Sequence, residues 1–322
     1  MSAKPRILAT RPFPPAVMER LRRDYDAVTN DADDPLTSED IVRLAKDVDG
    51  IMASPTNPFD QSLIEALPST VKIIATFSVG YDHLDVAAAQ KKGILLGNTP
   101  DVLTDATADI ALLCLLGAAR MAHTASQILR AGQWDRWAAN DFLGVHVSGK
   151  RLGILGMGRI GQAVARRAKG FDMQIHYHNR RPVTPRGLDD AIYHDSFDKL
   201  LPQCDFLSIN CGLSEETKYL INDKTITALP DGAVLVNTAR GPIVEDASLI
   251  RALKSGKIAA AGLDVFENEP HLHPDYLDLK NLFVLPHIGS ATFETRDAMG
   301  FKCLDNLDAY FAGKPLPSPI TL

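Results

Sequence analysis

Three chemically reactive side chains each follow an apolar, strand-like segment in the second half of this 322-residue chain. Arg240 follows AVLVNT, Glu269 comes shortly after AAGLDVF, and His287 directly follows LFVLP. In open α/β sheets, ligands bind outside the carboxyl ends of the strands. A guanidinium there can hold a carboxylate through two hydrogen bonds, and a carboxylate beside an imidazole favours its protonated form. The three residues predict a site in which His287 acts as a general acid on an anionic substrate.

Each of these residues alone also has an ordinary structural explanation. A single histidine is more often a surface or capping residue, ENEP is also an ordinary acidic loop, and Arg240 could simply cap its strand. Their position on successive strand–helix units of one domain is what favours catalysis.

A glycine-rich turn comes earlier in the chain, within LGILGMGRIG from Leu152 to Gly161. The spacing of Gly156, Gly158 and Gly161 is typical of a dinucleotide-binding turn, in which a pyrophosphate rests on a helix N-terminus. The motif alone is weak evidence, because similar turns occur in methyltransferases or simply close a loop. The preceding apolar strand, the following helical QAVARRAKGF and the second strand MQIHYHN favour dinucleotide binding.

The end of that second strand predicts which nucleotide binds. A free ribose 2′-hydroxyl is usually held by Asp or Glu about 20 residues beyond the first glycine, but this chain has Asn179, Arg180 and Arg181 there. Two guanidiniums match a 2′-phosphate, which a carboxylate would repel. We therefore expect NADPH to be preferred, with NADH as a usable cofactor. Alternatively, the arginines are solvated surface residues before Pro182.

Composition excludes several other classes of function. Hydrophobic residues make up 45% of the chain and charged residues 23%, as in globular enzymes, and the net charge of −6 gives no reason to expect nucleic-acid binding. The longest apolar run, IALLCLLGAA, is too short to span a bilayer, and MSAK leads directly into a strand rather than an apolar signal segment. The cysteines show neither metal-ligand nor disulfide spacing: Cys114, Cys204, Cys211 and Cys303. We expect a cytoplasmic protein with no metal and no membrane or nucleic-acid partner.

The arrangement of elements predicts two α/β domains. Residues 6–98 alternate short strands with amphipathic helices, a buried helix runs from about Thr104 to Arg130, and a second series of strand–helix units follows. A last helix is expected from about Ala291 to Ala312. These patterns predict two doubly wound parallel-sheet domains, with a Rossmann dinucleotide-binding domain (102–289) inserted into a flavodoxin-like substrate-binding domain (1–101 plus 290–322). The cleft between them would hold the substrate.

The order Arg, Glu, His within NTARGPIVED, GLDVFENEP and PHIGSAT closely resembles the D-isomer-specific 2-hydroxyacid dehydrogenase family. The likeness covers nearly the whole chain, including FSVGYDHLD and NTPDVLTDATADIALLCLLGAAR, and within the family it is greatest to glyoxylate and hydroxypyruvate reductases. The resemblance implies that Arg240 orients the substrate, His287 donates the proton and Glu269 is its partner. It also implies that Asp264 holds the nicotinamide carboxamide.

Further roles follow from the resemblance alone. The backbone of Val79 and Gly80 would receive the substrate carboxylate, as a nest of N–H groups can, and Thr107 would touch the cofactor at the domain hinge. One departure is Gly212, where the family commonly has Pro. The full set of candidate cofactor-binding residues is Thr107, Gly156, Met157, Gly158, Arg159, Ile160, Gly161, Asn179, Arg180, Arg181, Cys211, Gly212, Thr217, Thr238, Ala239, Arg240, Asp264, His287, Gly289 and Ser290.

The segment GQWDRWAAND follows the long apolar helix, and reductases that resemble this chain use such a helix as an arm around a twofold mate. We expect a homodimer in which Trp137 reaches the partner's substrate cleft. Alternatively, Trp134 and Trp137 only anchor the arm.

The expected activity is NADPH-dependent reduction of small 2-keto acids such as glyoxylate and hydroxypyruvate. Two alternatives stay open. One is another dehydrogenase of the family, of phosphoglycerate, formate or D-lactate type, although no appended regulatory domain or acid-lined ribose pocket is evident. The other is a dinucleotide-sensing binding protein like the C-terminal-binding corepressors, which carry extra tails for partners, whereas this chain ends three residues after Pro319.

Overall fold

The computed structural model describes residues 4–184 and 186–321. Its strands are β1 (Arg6–Ala9), β2 (Asp26–Thr29), β3 (Gly50–Ala53), β4 (Ile73–Thr76), β5 (Leu95–Gly97), β6 (Arg151–Leu155), β7 (Gln174–His178), β8 (Ile192–His194), β9 (Phe206–Ile209), β10 (Ala233–Asn237), β11 (Ile258–Leu263) and β12 (Leu282–Val284). Its α-helices are α1 (Pro15–Asp24), α2 (Ser38–Leu44), α3 (Gln61–Ala66), α4 (Val86–Lys92), α5 (Thr104–Ala119), α6 (Ala122–Arg130), α7 (Arg159–Ala168), α8 (Phe197–Leu200), α9 (Asp223–Ala228), α10 (Asp246–Ser255) and α11 (Phe293–Phe311).

The chain divides into two compact units. One comprises Met1–Leu103 and Ala291–Leu322, and the other comprises Thr104–Ser290. The substrate-binding and dinucleotide-binding roles expected of these units stay predictions.

The first unit is built on a parallel sheet with the strand order β2-β1-β3-β4-β5, which is the flavodoxin-like doubly wound order. Its three central strands are buried on both faces, so alternate residues contribute to two separate apolar cores. Leu8 and Ile51 belong to one core, and Ile7 and Met52 belong to the other. The predicted flavodoxin-like sheet is therefore confirmed.

Local sequence signals set the ends of the helices around this sheet. Thr37 caps α2 in a capping box with Asp40, and Asp60 and Asp85 accept backbone N–H groups at the starts of α3 and α4. Helix α4 ends at Gly93 in the left-handed conformation, with φ of 75°.

The second unit contains a seven-stranded parallel sheet in the order β12-β11-β10-β9-β6-β7-β8. The order reverses between β6 and β9, which is the switch point where doubly wound folds bind nucleotides. One apolar core lies among β6, α5 and α7, and a second lies on the other face, where α9 and α10 pack. The predicted dinucleotide-binding architecture is confirmed, whereas the short edge strand β8 was not predicted.

The prediction of one continuous helix from Thr104 to Arg130 is wrong. The helix breaks at Met121, which has φ of 51°, and α5 and α6 meet at 67°. The break arises because the chain, where it returns to α5, hydrogen bonds to a carbonyl at the end of that helix. The Val145 N–H donates to the Ala119 carbonyl at 2.7 Å, and Gly144 lies against the same oxygen. Within the described ranges, no single helix has the length and hydropathy to cross a membrane, although the bent pair meets that test by length and composition.

Candidate active site

Glu269 and His287 form a hydrogen-bonded pair in the second unit. Their side chains are 32% and 48% exposed, and His287 Nδ1 lies 2.7 Å from Glu269 Oε2. Because the carboxylate only accepts hydrogen bonds, Nδ1 is assigned as the donor. This arrangement leaves Nε2 as the nitrogen that can exchange a proton with a ligand. The geometry brings the two predicted partners together.

The loop that connects β11 to Glu269 also holds the carboxylate of this residue in place. The Phe266 N–H donates to Glu269 Oε1 at 2.9 Å. Burial by itself raises the pKa of Glu269, but the hydrogen bond and charge of His287, with the charge of Arg240, bring that pKa below its usual value. Glu269 is therefore ionised at neutral pH.

The turn that carries His287 is held by Asp264, which directly follows β11. His287 has φ of 52°, in the left-handed region, and its N–H donates to the Asp264 carbonyl at 2.9 Å. The buried carboxylate of Asp264 accepts the N–H of Ile288 at 2.8 Å and that of Gly289 at 2.7 Å. Burial raises the pKa of Asp264, and the two N–H donors only partly offset that effect. Asp264 thus positions the turn that presents the imidazole.

Arg240 lies in a turn after β10 that packs directly against the loop leading to Glu269. Asn237 holds this turn at both ends, accepting the Ala239 N–H at 3.0 Å and donating to the Arg240 carbonyl at 2.9 Å. A Cβ atom on Gly241 would lie 1.7 Å from the Phe266 carbonyl oxygen. Only glycine permits this approach. Sequence reasoning missed both Asn237 and Gly241 as site residues, although the asparagine directly at a strand end was a usable signal.

The predicted cofactor residues line the carboxyl ends of the second sheet. Gly156–Gly161 follow β6, Asn179–Arg181 follow β7, Cys211 and Gly212 follow β9, Thr238–Arg240 follow β10, Asp264 follows β11, and His287–Ser290 follow β12. Because all seven strands are parallel, these residues share one edge of the sheet. Thr107 lies in α5 and close to Gly289, because a Cβ atom added to this glycine would lie 3.5 Å from the Thr107 side chain.

The turn after β6 has the features of a pyrophosphate cradle. Gly156 has φ of 94° and leaves no room for a side chain, because a Cβ there would lie 2.7 Å from the Cys211 nitrogen. A Cβ on Gly158 would meet open space. Gly158 caps α7 without a side-chain hydrogen bond, so the first N–H groups of this ten-residue helix remain available to an anion.

Two polar side-chain atoms at the same edge also lack a protein partner. Thr238 Oγ1 and Asn210 Oδ1 are buried, and neither has a hydrogen bond within the described residues. Buried polar atoms are normally satisfied, and a bound dinucleotide offers hydroxyl and amide groups that would satisfy them. The residues present therefore fit a dinucleotide. Asn210 was not predicted, whereas the predicted Thr217 hydroxyl donates to the Gly212 carbonyl at 2.8 Å and holds the loop.

The loop after β7 presents the two arginines expected to meet a ribose 2′-phosphate. Arg180 and Arg181 are exposed, and neither pairs with an acidic side chain in the part of the chain described. The buried Tyr177 hydroxyl donates to the Val183 carbonyl at 2.8 Å, and Asn179 Nδ2 donates to the Arg181 carbonyl at 3.1 Å. The loop is thus tied to the sheet while its guanidiniums face solvent.

The remaining predicted residues lie outside this edge. Val79 and Gly80 are in the first unit, in the loop after β4, and both are half-buried. Trp137 follows α6 and is 79% exposed. Over residues 4–184 and 186–321, no group of three or more His, Cys, Asp or Glu side chains is placed to hold a metal ion.

Comparison with known proteins identifies the family. Residues 112–289 match the model of the D-isomer specific 2-hydroxyacid dehydrogenase NAD binding domain. The chain is 41% identical to the glycerate dehydrogenase of Hyphomicrobium methylovorum over 313 residues, 97% of each chain. It is 39% identical to the glyoxylate reductase of Pyrococcus furiosus over 319 residues, covering 98% of this chain and 95% of the relative.

A solved structure agrees with these relatives. The NADPH-dependent glyoxylate/hydroxypyruvate reductase of Sinorhizobium meliloti, in complex with NADP and malonate, superimposes with a TM-score of 0.88 at 37% identity, over 99% of this chain and 97% of that one. The predicted resemblance is confirmed. The chain belongs to the D-isomer specific 2-hydroxyacid dehydrogenase family of oxidoreductases.

Proposed function

We propose that this protein reduces small 2-keto acids, such as glyoxylate and hydroxypyruvate, to 2-hydroxy acids with NADPH. The observation that carries the proposal is the 2.7 Å contact between Glu269 and His287 at the carboxyl edge of a dinucleotide-binding sheet. Such a pair supplies a proton where a carbonyl oxygen gains negative charge. The names of the relatives, glyoxylate reductase and glycerate dehydrogenase, support the same substrate class.

Each residue of the candidate site has a separate role in this reduction. A reduced nicotinamide, when bound, supplies the hydride that is added to C2 of the keto acid. His287 donates its Nε2 proton to the carbonyl oxygen, which becomes the hydroxyl of the product. Glu269 stabilises the imidazolium before this transfer and keeps Nε2 oriented. Arg240 provides a fixed cation beside this pair, close enough to lower the pKa of Glu269, and we assign it to the substrate carboxylate.

Initial rates test the substrate class. Glyoxylate, hydroxypyruvate, pyruvate and 3-phosphohydroxypyruvate are each assayed with NADPH and with NADH. We expect the highest kcat/KM with glyoxylate or hydroxypyruvate and NADPH. A preference for pyruvate or 3-phosphohydroxypyruvate would assign a different dehydrogenase activity. Dinucleotide binding without turnover of any of the four acids would favour a sensing protein and refute the proposal.

NADPH preference is supported by the loop after β7. No acidic side chain closes that strand, whereas Arg180 and Arg181 are exposed and unpaired within the described residues. A solved structure of an NADPH-dependent relative, which contains NADP, is similar to this chain over nearly its whole length. A hydrogen bond from a guanidinium to a phosphate contributes about 1.5–3 kcal/mol, which corresponds to about 10- to 150-fold in affinity.

The variant Arg180→Ala tests this assignment. We expect the KM for NADPH to rise at least ~10-fold while the KM for NADH changes little, because only NADPH carries the phosphate. The difference should shrink at high salt. Arg166→Ala, which removes an exposed arginine from the far end of α7, is the matched control and should change neither KM. Equal losses with both cofactors, or a wild-type preference for NADH, would refute the assignment.

We also propose that the protein is a homodimer assembled through the segment that follows α5, here called the arm (residues 129–143). Large apolar side chains are exposed on this arm, with Leu129 61%, Trp134 51%, Trp137 79% and Leu143 69% accessible. Such a surface is typical of a protein–protein contact. Light scattering should give twice the chain mass, and Trp137→Ala should change the ratio of kcat/KM for hydroxypyruvate to that for pyruvate. A monomer, or an unchanged ratio, would contradict the dimer or the role of Trp137 respectively.

A further inference from the structure

Three successive backbone carbonyls in the loop after β4 are each held by a hydrogen bond. The Ser78 carbonyl accepts the Thr99 N–H at 2.9 Å. The Val79 carbonyl accepts Asn98 Nδ2 at 2.8 Å, and the Gly80 carbonyl accepts the Ser78 hydroxyl at 2.7 Å. The donors lie in the same unit as the loop, so this arrangement is a property of that unit alone.

Holding these carbonyls also orients the N–H groups of the loop. In a planar trans peptide, the N–H of the following residue is directed opposite to the carbonyl oxygen. The Ser78 and Val79 carbonyls therefore direct the N–H groups of Val79 and Gly80 away from Asn98 and Thr99. Within the described residues, neither of these two N–H groups donates a hydrogen bond. They are oriented donors that await an acceptor, as in an anion-binding nest.

Asn98 is itself anchored on both sides of its backbone. Its N–H donates to the Ser318 carbonyl at 3.1 Å, and its carbonyl accepts the Ser318 hydroxyl at 2.6 Å and Asn306 Nδ2 at 3.2 Å. Asn306 is fully buried in α11. A Cβ atom on Gly97 would lie 2.8 Å from Asn306 Cγ. Only glycine at this position therefore lets the end of β5 approach Asn306 so closely. This network leaves the Asn98 side chain little freedom to leave Val79.

We propose that Asn98 is a positioning residue for substrate binding: its side chain fixes the Val79–Gly80 peptide so that the Gly80 N–H receives the substrate carboxylate. The inference rests on the proposed function, and it assigns a role to a side chain that does not itself touch the substrate. Asn98 acts through the peptide plane, and Ser78 does the same for the next peptide. Pre-orienting donors lowers the ordering cost of binding.

The test compares Asn98→Ala and the isosteric Asn98→Asp with wild type. Neither variant has the amide donor, so the peptide is free to rotate and the carboxylate loses an aligned hydrogen bond. We expect the KM for glyoxylate to rise about 10-fold, with little change in kcat or in the KM for NADPH, because this contact is made equally in the ground and transition states. The Kd of oxalate for the NADPH-bound enzyme, measured by fluorescence, should rise by a similar factor.

Asn30→Ala is the matched control. Asn30 also donates through Nδ2 to backbone carbonyls of the first unit, those of Thr10 and Asp34, and neither of these hydrogen bonds involves residues 78–80. It should leave the KM for glyoxylate and the Kd of oxalate unchanged. Thermal unfolding of every variant establishes that it is folded. If Asn98→Ala does not fold, Asn98→Asp decides the question with the same measurements.

Folded Asn98 variants with a wild-type KM for glyoxylate and a wild-type Kd of oxalate would overturn the inference. It would also be overturned by variants in which kcat falls and the KM for NADPH rises as much as the KM for glyoxylate, because that pattern indicates general disruption. Failure of the proposed function is distinguishable, because wild-type enzyme would then reduce neither glyoxylate nor hydroxypyruvate.

Discussion

Replacing Glu269 with Gln removes the charge beside His287 and changes few atoms. The carboxylate is ionised across the assay range because its pKa lies below the ordinary value. Its charge therefore stabilises the protonated donor 2.7 Å away, and Glu269→Gln removes that stabilisation. In the reductive direction, kcat/KM falls once that proton is lost. The basic limb of the pH profile should consequently move to lower pH in Glu269→Gln.

The size of the effect on kcat/KM follows from the geometry. A hydrogen bond to a charged group contributes about 1.5–3 kcal/mol. The 2.7 Å separation favours the upper part of that range, but the side chains are 48% and 32% exposed, and solvent screening brings the expected contribution down to about 1.4 kcal/mol. This contribution corresponds to about a 10-fold loss of kcat/KM at a pH on the basic limb.

The assay is kcat/KM for glyoxylate with saturating NADPH, measured from the acid limb to the basic limb in buffers of constant ionic strength. Glu267→Gln removes an equal charge two residues away, from a side chain that hydrogen bonds Tyr219 rather than His287. It should leave the basic limb within a few tenths of a pH unit of wild type. An unmoved limb in a folded Glu269→Gln enzyme would remove Glu269 from the mechanism.

Three further predictions concern single substitutions. His287→Ala should lower kcat at least ~100-fold while NADPH still binds by fluorescence titration; near-native kcat would exclude His287 as proton donor. Asp246 is buried and accepts the Tyr276 hydroxyl at 2.8 Å, and burial raises its pKa, so its ionisation destabilises the native state above that pKa. Asp246→Asn should therefore raise Tm at pH 7, with the gain vanishing at acidic pH where Asp246 is protonated; a gain that persists in acid would contradict this sign. Gly241→Ala should lower both Tm and kcat/KM, because a Cβ would lie 1.7 Å from the Phe266 oxygen; an unchanged enzyme would show that the loop can relax.

The elements that carry the site could be predicted because their signals are local. The apolar runs before Gly156, Arg240 and His287 predicted β6, β10 and β12, and parallel pairing then brought their carboxyl ends to one edge. The pairing of Glu269 with His287 followed from the same reasoning, because the two residues follow neighbouring strands. Periodicity and strand order were sufficient at these positions.

Features that depend on contacts between distant segments were missed. The break at Met121 arises from the return of the chain at Val145, which no helix propensity of residues 104–130 encodes. The approach of Gly241 to Phe266 likewise appears only when two loops are packed together. Strand β8 was missed because three residues at a sheet edge carry little periodicity.

The carboxylate of Asp264 has a thermodynamic consequence. Its oxygens already bind the N–H groups of Ile288 and Gly289, and each retains a lone pair for one more donor. If the nicotinamide amide takes that place, one buried anion is shared between the cofactor and the backbone that presents His287. Linkage makes such a coupling reciprocal: if a bound dinucleotide narrows the fluctuations of the imidazole, an ordered imidazole raises the affinity for the dinucleotide by the same factor. The proton donor would be fully ordered only when the hydride donor is present.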